Sequence, residues 1–153
     1  MKCPFCGTED SQVKDSRSSE DGTTIRRRRF CSHCNSRFTT FERVQLRELT
    51  VIKKNGERRP FDREKIIRSI AMAVRKRSIS EEQVEQIAND IVRDLETNGD
   101  NEISTSLIGE MIMKTLAKLD KVAYVRFASV YKDFREPEDF AKLIEQLKLP
   151  RKT

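Results

Sequence analysis

At 153 residues and 17.9 kDa, the chain has room for one ordinary domain, or for a mini-domain followed by a domain of about 100 residues. Hydrophobic residues make up 36% and charged residues 37%, a balance that fits small units with much surface rather than one large core. The formal charge of +6 permits a nucleic-acid partner, and no apolar run reaches the length of about 18 residues that a membrane helix needs, so no membrane association is expected. The first residues, MKCPFCG, lack the apolar stretch of a secretory signal, so a cytoplasmic location is expected. In that compartment thiols stay reduced, and cysteines serve as metal ligands more readily than as disulfides.

The four cysteines form two pairs, Cys3-x-x-Cys6 and Cys31-x-x-Cys34, with 24 residues between them. Each pair closes a tight knuckle that aims two thiolates at one ion, and the intervening chain has room for a β-hairpin that sets the second knuckle opposite the first. Residues 11–18 and 23–30 read as strands joined by a polar turn at 19–22, with a third strand at 37–44. Only Phe5, Val13, Ile25, Phe30, Phe38, Phe41 and Val44 offer a core, too little to fold about 45 residues unaided, so the metal is expected to supply folding free energy. One structural Zn²⁺ per chain is the leading reading. Rubredoxin-like iron and a redox dithiol remain open, although no βαβ pattern surrounds either pair. His33 lies inside the second knuckle and is read as solvated or supporting, not as a ligand.

Arg26, Arg27, Arg28 and Arg29 precede the second knuckle on a predicted strand, and alternation puts Arg26 and Arg28 on one face and Arg27 and Arg29 on the other. Lys14, Arg17 and Arg37 add charge on neighbouring strands. A solvated basic face is the plain reading. The sharper one is a nucleic-acid surface that contacts phosphates and bases, because guanidinium forks match phosphate oxygens and guanine edges. No aromatic residue interleaves the run in sequence, which argues against base stacking on single strands.

A second pattern begins near residue 49. The string VIKKNGERRPF reads as strand, Asn55-Gly56 turn and strand. Asp62 then caps a helix carrying Ile66, Ile67, Ile70 and Val74. Ser80 and Gln83 form a capping box ahead of Val84, Ile87, Ala88, Ile91, Val92 and Leu95. After a polar break at 97–102, a third helix near 105–119 turns Leu107, Ile108, Met111, Ile112 and Leu119 inward. A fourth over 122–134 offers Val122, Phe127, Val130, Tyr131 and Phe134, and Glu136-Pro137 ends it. Phe140, Leu143, Ile144 and Leu147 mark a short amphipathic helix ending before Pro150, packed on its own domain or on another copy; Lys148, Arg151 and Lys152 are expected in solvent. The fold class is therefore α+β, with a small β module at 1–46, a mainly helical domain with an N-terminal hairpin at 49–136, and a tail at 137–153. Lys53, Lys54 and Lys65 gather cations near a helix N-terminus, which suits a polyphosphate. No Walker loop, dinucleotide glycine fingerprint or Ser/His/Asp set is present, and catalysis is not expected.

The string VIKKNGERRPFDREKI resembles the start of an ATP-cone, the nucleotide-sensing domain at the N-terminus of ribonucleotide reductase large subunits. Set behind a ribbon beginning MKCPFC, it resembles the NrdR family of bacterial transcriptional repressors over nearly the whole chain, to about residue 140. The resemblance implies ATP or dATP as effectors, bound along the hairpin and first helix at Val51, Lys53, Lys54, Asp62, Lys65 and Ile66. It further implies Thr105 near the nucleotide, with Tyr131 and Arg126 as further pocket residues. Lys54 and Asn55 stand where many cones have Arg-Asp, which keeps the charge and loses the bidentate fork. It also implies homo-oligomers that switch on nucleotide binding, operator DNA upstream of reductase genes as the partner, and a nucleoid location when DNA-bound. Two other classes remain to be weighed. A stand-alone cone that docks on a reductase and inhibits it leaves the arginine run unexplained, and an RNA-binding ribbon protein leaves the cone without a role.

Overall fold

A computed structural model describes residues 1–148, in two compact units, Met1–Leu46 and Arg47 onward. The first unit is one antiparallel sheet, β1 (Gln12–Ser18), β2 (Thr24–Phe30) and β3 (Arg37–Arg43), in that spatial order. Its first turn closes because Gly22 takes φ 70° and the Asp21 carboxylate accepts from the Thr23 N–H and both neighbouring hydroxyls. A bulge at Lys14 shifts the β1–β2 register between Val13 and Asp15.

The expected core of this unit does not form. Among its residues only Cys3, Thr24 and Cys31 are buried. Phe5 is 67% exposed, and Val13, Phe41 and Val44 are exposed as well, while Ile25, Phe30 and Phe38 are half-buried. A single sheet has no second layer within its own unit to cover either face. Phe38 and Phe41 also cannot pack together, because an odd separation along a strand points them to opposite faces.

The second unit opens with β4 (Thr50–Ile52) and β5 (Arg58–Pro60), then α1 (Arg63–Ala73), α2 (Glu81–Thr97), β6 (Glu102–Ser104), α3 (Thr105–Leu119), α4 (Lys121–Tyr131) and α5 (Pro137–Lys148). Sequence reading found a hairpin here; the structure adds β6, which pairs parallel to β4 and makes a three-stranded sheet in the order β5-β4-β6. Val51 and Ile103 are register partners and both pack on the core, with Ile103 buried. The helices begin where capping chemistry places them. Asp62 accepts from the Glu64 N–H, and Ser80 and Gln83 complete their reciprocal box. Asp120 ends α3 and starts α4, accepting from the Ala123 N–H, and Arg77 donates to its other oxygen at 2.9 Å. These partners hold its carboxyl below the usual range, the Ala123 N–H first and Arg77 next, so this stabilisation is complete above the ordinary carboxylate pKa and is lost as pH falls through the depressed one.

Ile70, Val92, Leu95 and Leu116 are the largest fully buried side chains of this core, at 0–1% exposure. The α2 stripe matches its periodicity: Val84, Ala88, Ile91, Val92 and Leu95 are buried and Ile87 packs against them. The later helices differ from expectation. Met113 and Leu116 face inward on α3 while Leu107 and Leu119 are exposed, and on α4 Ala123 and Ala128 are buried while Val122 and Val130 face solvent. Helix α4 also stops at Tyr131, three residues before the expected end. Asp133 adopts φ 52°, its N–H donates to the Val130 carbonyl, and the Phe134 N–H donates to the Ser129 carbonyl, which is a Schellman termination with Asp in the place glycine usually fills. Pro137 then opens α5 at the first helical position, where its missing N–H costs nothing, and Asp139 accepts from the Arg135 and Glu136 N–H groups. Leu143 is buried against Met113 and Ala128, and Phe140 meets Phe134 edge-to-face at 5.0 Å, so α5 packs on its own unit. Pro150, Arg151 and Lys152 lie outside the described residues.

Candidate functional site

The two knuckles converge as their spacing predicts. All four Sγ atoms lie within 4.8 Å of one another, with Cys3 to Cys34 at 3.6 Å and Cys6 to Cys31 at 3.7 Å. Tetrahedral Zn–S bonds of about 2.3 Å place sulfurs about 3.8 Å apart, so the pocket fits one such ion, whereas a disulfide needs about 2.05 Å. The knuckles are built alike. Gly7 (φ 74°) and Asn35 (φ 59°) follow the second cysteine of each pair in the left-handed region, and the Cys3 and Cys31 N–H groups donate to the Thr8 and Ser36 carbonyls. A hydroxyl residue then stands two positions beyond each second cysteine. Hydrogen bonds from the Thr8 side chain and backbone hold the Cys6 thiol down at about 5, and the same contacts from Ser36 lower Cys34. Cys6 and Cys34 are thus inclined to the thiolate form that metals require. Cys31, against the lowering backbone hydrogen bonds of Cys34 and His33, is pushed up to about 11 by burial and by the neighbouring Cys34 and Cys6 thiols. His33 is exposed and outside the cluster.

Strand β2 divides the arginine run. Arg27 donates to Ser16 Oγ and to Glu42 at 3.0 Å each, and Arg29 donates to Thr40 at 3.1 Å and Ser11 at 3.4 Å. That face is tied within the sheet. On the opposite face Arg26 stands across from Arg17 and Phe41, Arg28 from Asp15 and Thr39, and Phe30 from Arg37. Lys14, swung by the bulge, sets its ammonium 5.5 Å from the Phe30 ring centre, on this same face. Asp15 pairs with Arg17 at 3.1 Å and is the acidic residue among these cations. Phe41, 43% exposed, is directly opposite Arg26, so an aromatic does interleave the cations in space, from a strand that linear reading of the run could not bring beside it.

In the second unit the β4–β5 turn is held by the Gly56 N–H on the Lys53 carbonyl, with Gly56 at φ 84°. Lys53 pairs with Glu57 at 3.4 Å, and Lys54 reaches over Tyr131 at 5.8 Å from the ring centre. Tyr131 stacks on Phe127 and donates its hydroxyl to the Ser106 carbonyl at 3.0 Å, next to Thr105 in the first turn of α3. The hairpin tip, Tyr131 and the Thr105 turn therefore form one neighbourhood. A signal missed in the sequence is Gly109: its absent Cβ is what lets the Tyr131 ring lie against α3. Val51 is half-buried, Ile66 is a core residue, Asp62 caps α1 and lies 3.7 Å from Arg68, and Lys65 is exposed on the first turn of α1. Arg126 is placed apart from these. It donates to the Ala73 and Arg75 carbonyls at the far end of α1, about 12 Å along the axis from Lys65, and so closes that helix terminus.

The chain therefore pairs a basic ribbon carrying a four-cysteine metal site with a small sheet-and-helix unit that has a cationic hairpin. Comparison with known proteins gives it a family. Residues 1–42 match the family model described as the transcriptional repressor NrdR-like N-terminal domain, and residues 49–137 match the ATP cone domain. The transcriptional repressor NrdR of Caulobacter sp. (strain K31) is 63% identical over 94% of this chain and 92% of its own length. That of Rhodospirillum centenum is 61% identical over 97% and 96%, and transcriptional repressor NrdR 3 of Paramagnetospirillum magneticum 57% over 99% of each. The chain belongs to the NrdR family of transcriptional repressors, which are regulators and not enzymes. Its cysteine cluster is the metal site of a zinc ribbon, and its helical unit is an ATP-cone, a domain for a nucleotide effector.

Proposed function

We propose that this chain represses transcription by docking the Arg26/Arg28 face of its ribbon on operator DNA upstream of ribonucleotide reductase genes, with ATP or dATP in the cone setting how copies assemble. The observation that carries this is the clustering of Lys14, Arg17, Arg26, Arg28 and Arg37 on one face of a sheet with no covering layer in its own unit. Phe41 gives that face an apolar surface suited to thymine methyls or sugar edges. One ribbon covers little DNA, so useful affinity requires copies held together, and the spacing of their ribbons then selects paired boxes. Location in the cytoplasm, at the nucleoid when DNA-bound, follows from that role.

The arginine division gives the test. Arg28→Ala is expected to weaken operator binding and to lower the slope of log affinity against log salt by about 1, because one phosphate contact and its released counterions are lost. Arg27→Ala is expected to lower the thermal midpoint of the ribbon, through loss of its Ser16 and Glu42 contacts, and to leave the salt slope nearly unchanged. Equal slopes for Arg28→Ala and wild type would place DNA elsewhere.

The nucleotide arm concerns Lys54 at the hairpin tip, Tyr131 at the end of α4 and Thr105 at the start of α3, with Val51, Lys53, Asp62, Lys65 and Ile66 around the hairpin and α1. A ligand shifts an assembly only by its differential affinity for the two arrangements. Native mass spectrometry with ATP and with dATP is expected to give different subunit counts and different operator affinities. Identical counts and affinities would remove the switch.

A further inference from the structure

The described surface of the second unit carries a cleft of about 520 Å³ between α2 and α3 that the nucleotide and DNA readings leave unused. Its floor is apolar, from Ile91, Met111 and Leu119. Its walls are charged with opposite sign: Asp90 and Asp94, one turn apart on α2, face Lys114 and Lys118, one turn apart on α3. All four are exposed. Asp90 accepts from Gln86 at 3.0 Å and lies 3.8 Å from Arg93, and no ion pair bridges the cleft among the described residues. Two like-charged rows are thus held apart within one chain, each lacking a counterpart across the gap.

We infer that this cleft is the face through which two copies of the chain join, with the two-fold axis running along the cleft. The inference deepens the proposed assembly and rests on it. A dyad lying along the groove sets α2 of one copy over α3 of the other, so each copy's aspartate row meets its partner's lysine row, once on either side of the axis. A dyad across the groove would set aspartate on aspartate and lysine on lysine, and the charge pattern rejects it. A lone polyphosphate or a DNA backbone suits the lysine wall but is repelled by Asp90 and Asp94. A second copy satisfies both walls and covers Leu119, which is 41% exposed.

The test is a charge exchange in the full chain with its metal. One variant carries Lys114→Glu and Lys118→Glu, the other Asp90→Lys and Asp94→Lys; since all four positions are exposed, both are expected to keep the wild-type circular dichroism spectrum. Sedimentation velocity, run with ATP and with dATP, is expected to show each variant dissociating at concentrations at least tenfold higher than wild type. An equimolar mixture is expected to recover an assembly containing both, because every contact across the dyad is again between opposite signs. Variants that assemble like wild type overturn the inference and leave the proposed assembly standing on another face. Variants that both dissociate with no recovery on mixing also overturn it. A lysine variant of wild-type mass that loses operator affinity assigns the cleft to DNA instead. A wild type that stays monomeric under both nucleotides removes the proposed assembly itself.

Discussion

Chelating the metal at neutral pH is expected to unfold the first unit and leave the second intact. In a heteronuclear NMR spectrum, the dispersed amide signals of residues 1–46 collapse toward random-coil positions while those from Arg47 onward persist. The reason is the shortage of buried surface. Three residues of this unit are buried and two of them are cysteines of the cluster, so an apolar core cannot offset the entropy of ordering the sheet. Structural zinc contributes on the order of 10 kcal/mol at neutral pH, enough to carry such a unit on its own. Cys31→Ser is expected to have the same effect, since Cys31 is wholly buried and its N–H forms part of the second knuckle. Operator binding should disappear with the fold in both cases. Retained dispersion after complete metal removal would refute this account.

Gly109→Ala should destabilise the second unit, against the usual trend for a helix interior. Replacing glycine by alanine within a helix normally stabilises by about 1 kcal/mol. Here an added Cβ would lie 2.1 Å from Tyr131 Cε2 and 2.6 Å from two further ring atoms. The ring cannot simply swing away, because its hydroxyl is bonded to the Ser106 carbonyl, Phe127 stacks on one side and Lys54 lies over it. Overpacking of this kind costs about 1–3 kcal/mol, which outweighs the propensity gain. Thermal or denaturant unfolding should therefore show a net loss for Gly109→Ala, and nucleotide affinity should fall as Tyr131 and Lys54 are displaced. In a Tyr131→Ala background the same substitution should become neutral or stabilising, and failure of that sign to reverse would show that the ring is not the obstacle.

Features whose physics is local were readable in the sequence. The two cysteine pairs, the Asn55-Gly56 turn, the Ser80/Gln83 box and the helical spacing of Val84 through Leu95 each state their structure within a few residues. Alternation along Arg26, Arg27, Arg28 and Arg29 also foretold two faces, although only the cross-strand partners Ser16, Thr40 and Glu42 reveal which face is tied down. What stayed hidden depends on distant partners. Strand β6 is three residues, Glu-Ile-Ser, with no alternation long enough to detect, and it is a strand because β4 lies beside it. The end of α4 was disguised by an aspartate doing what glycine usually does. Leu107, Leu119 and Val130 are apolar at positions that face outward, so counting them as core shifted the apparent phase of two helices. Phe41 beside Arg26 and Tyr131 against Gly109 are contacts between elements, which linear spacing does not encode.

The parallel pairing of β4 with β6 has a consequence for synthesis. Residues 50–52 wait for residues 102–104, so the stretch enclosing α1 and α2 is a closed circuit of about 50 residues whose ends must meet before the sheet exists. The ribbon has no such delay, because its last cysteine is residue 34 and its last strand is complete at Arg43, before any residue of the second unit is needed. A nascent chain can thus capture its ion and finish the ribbon while the ATP-cone is still being translated. For a time during every round of synthesis, the ribbon is complete while its ATP-cone is not.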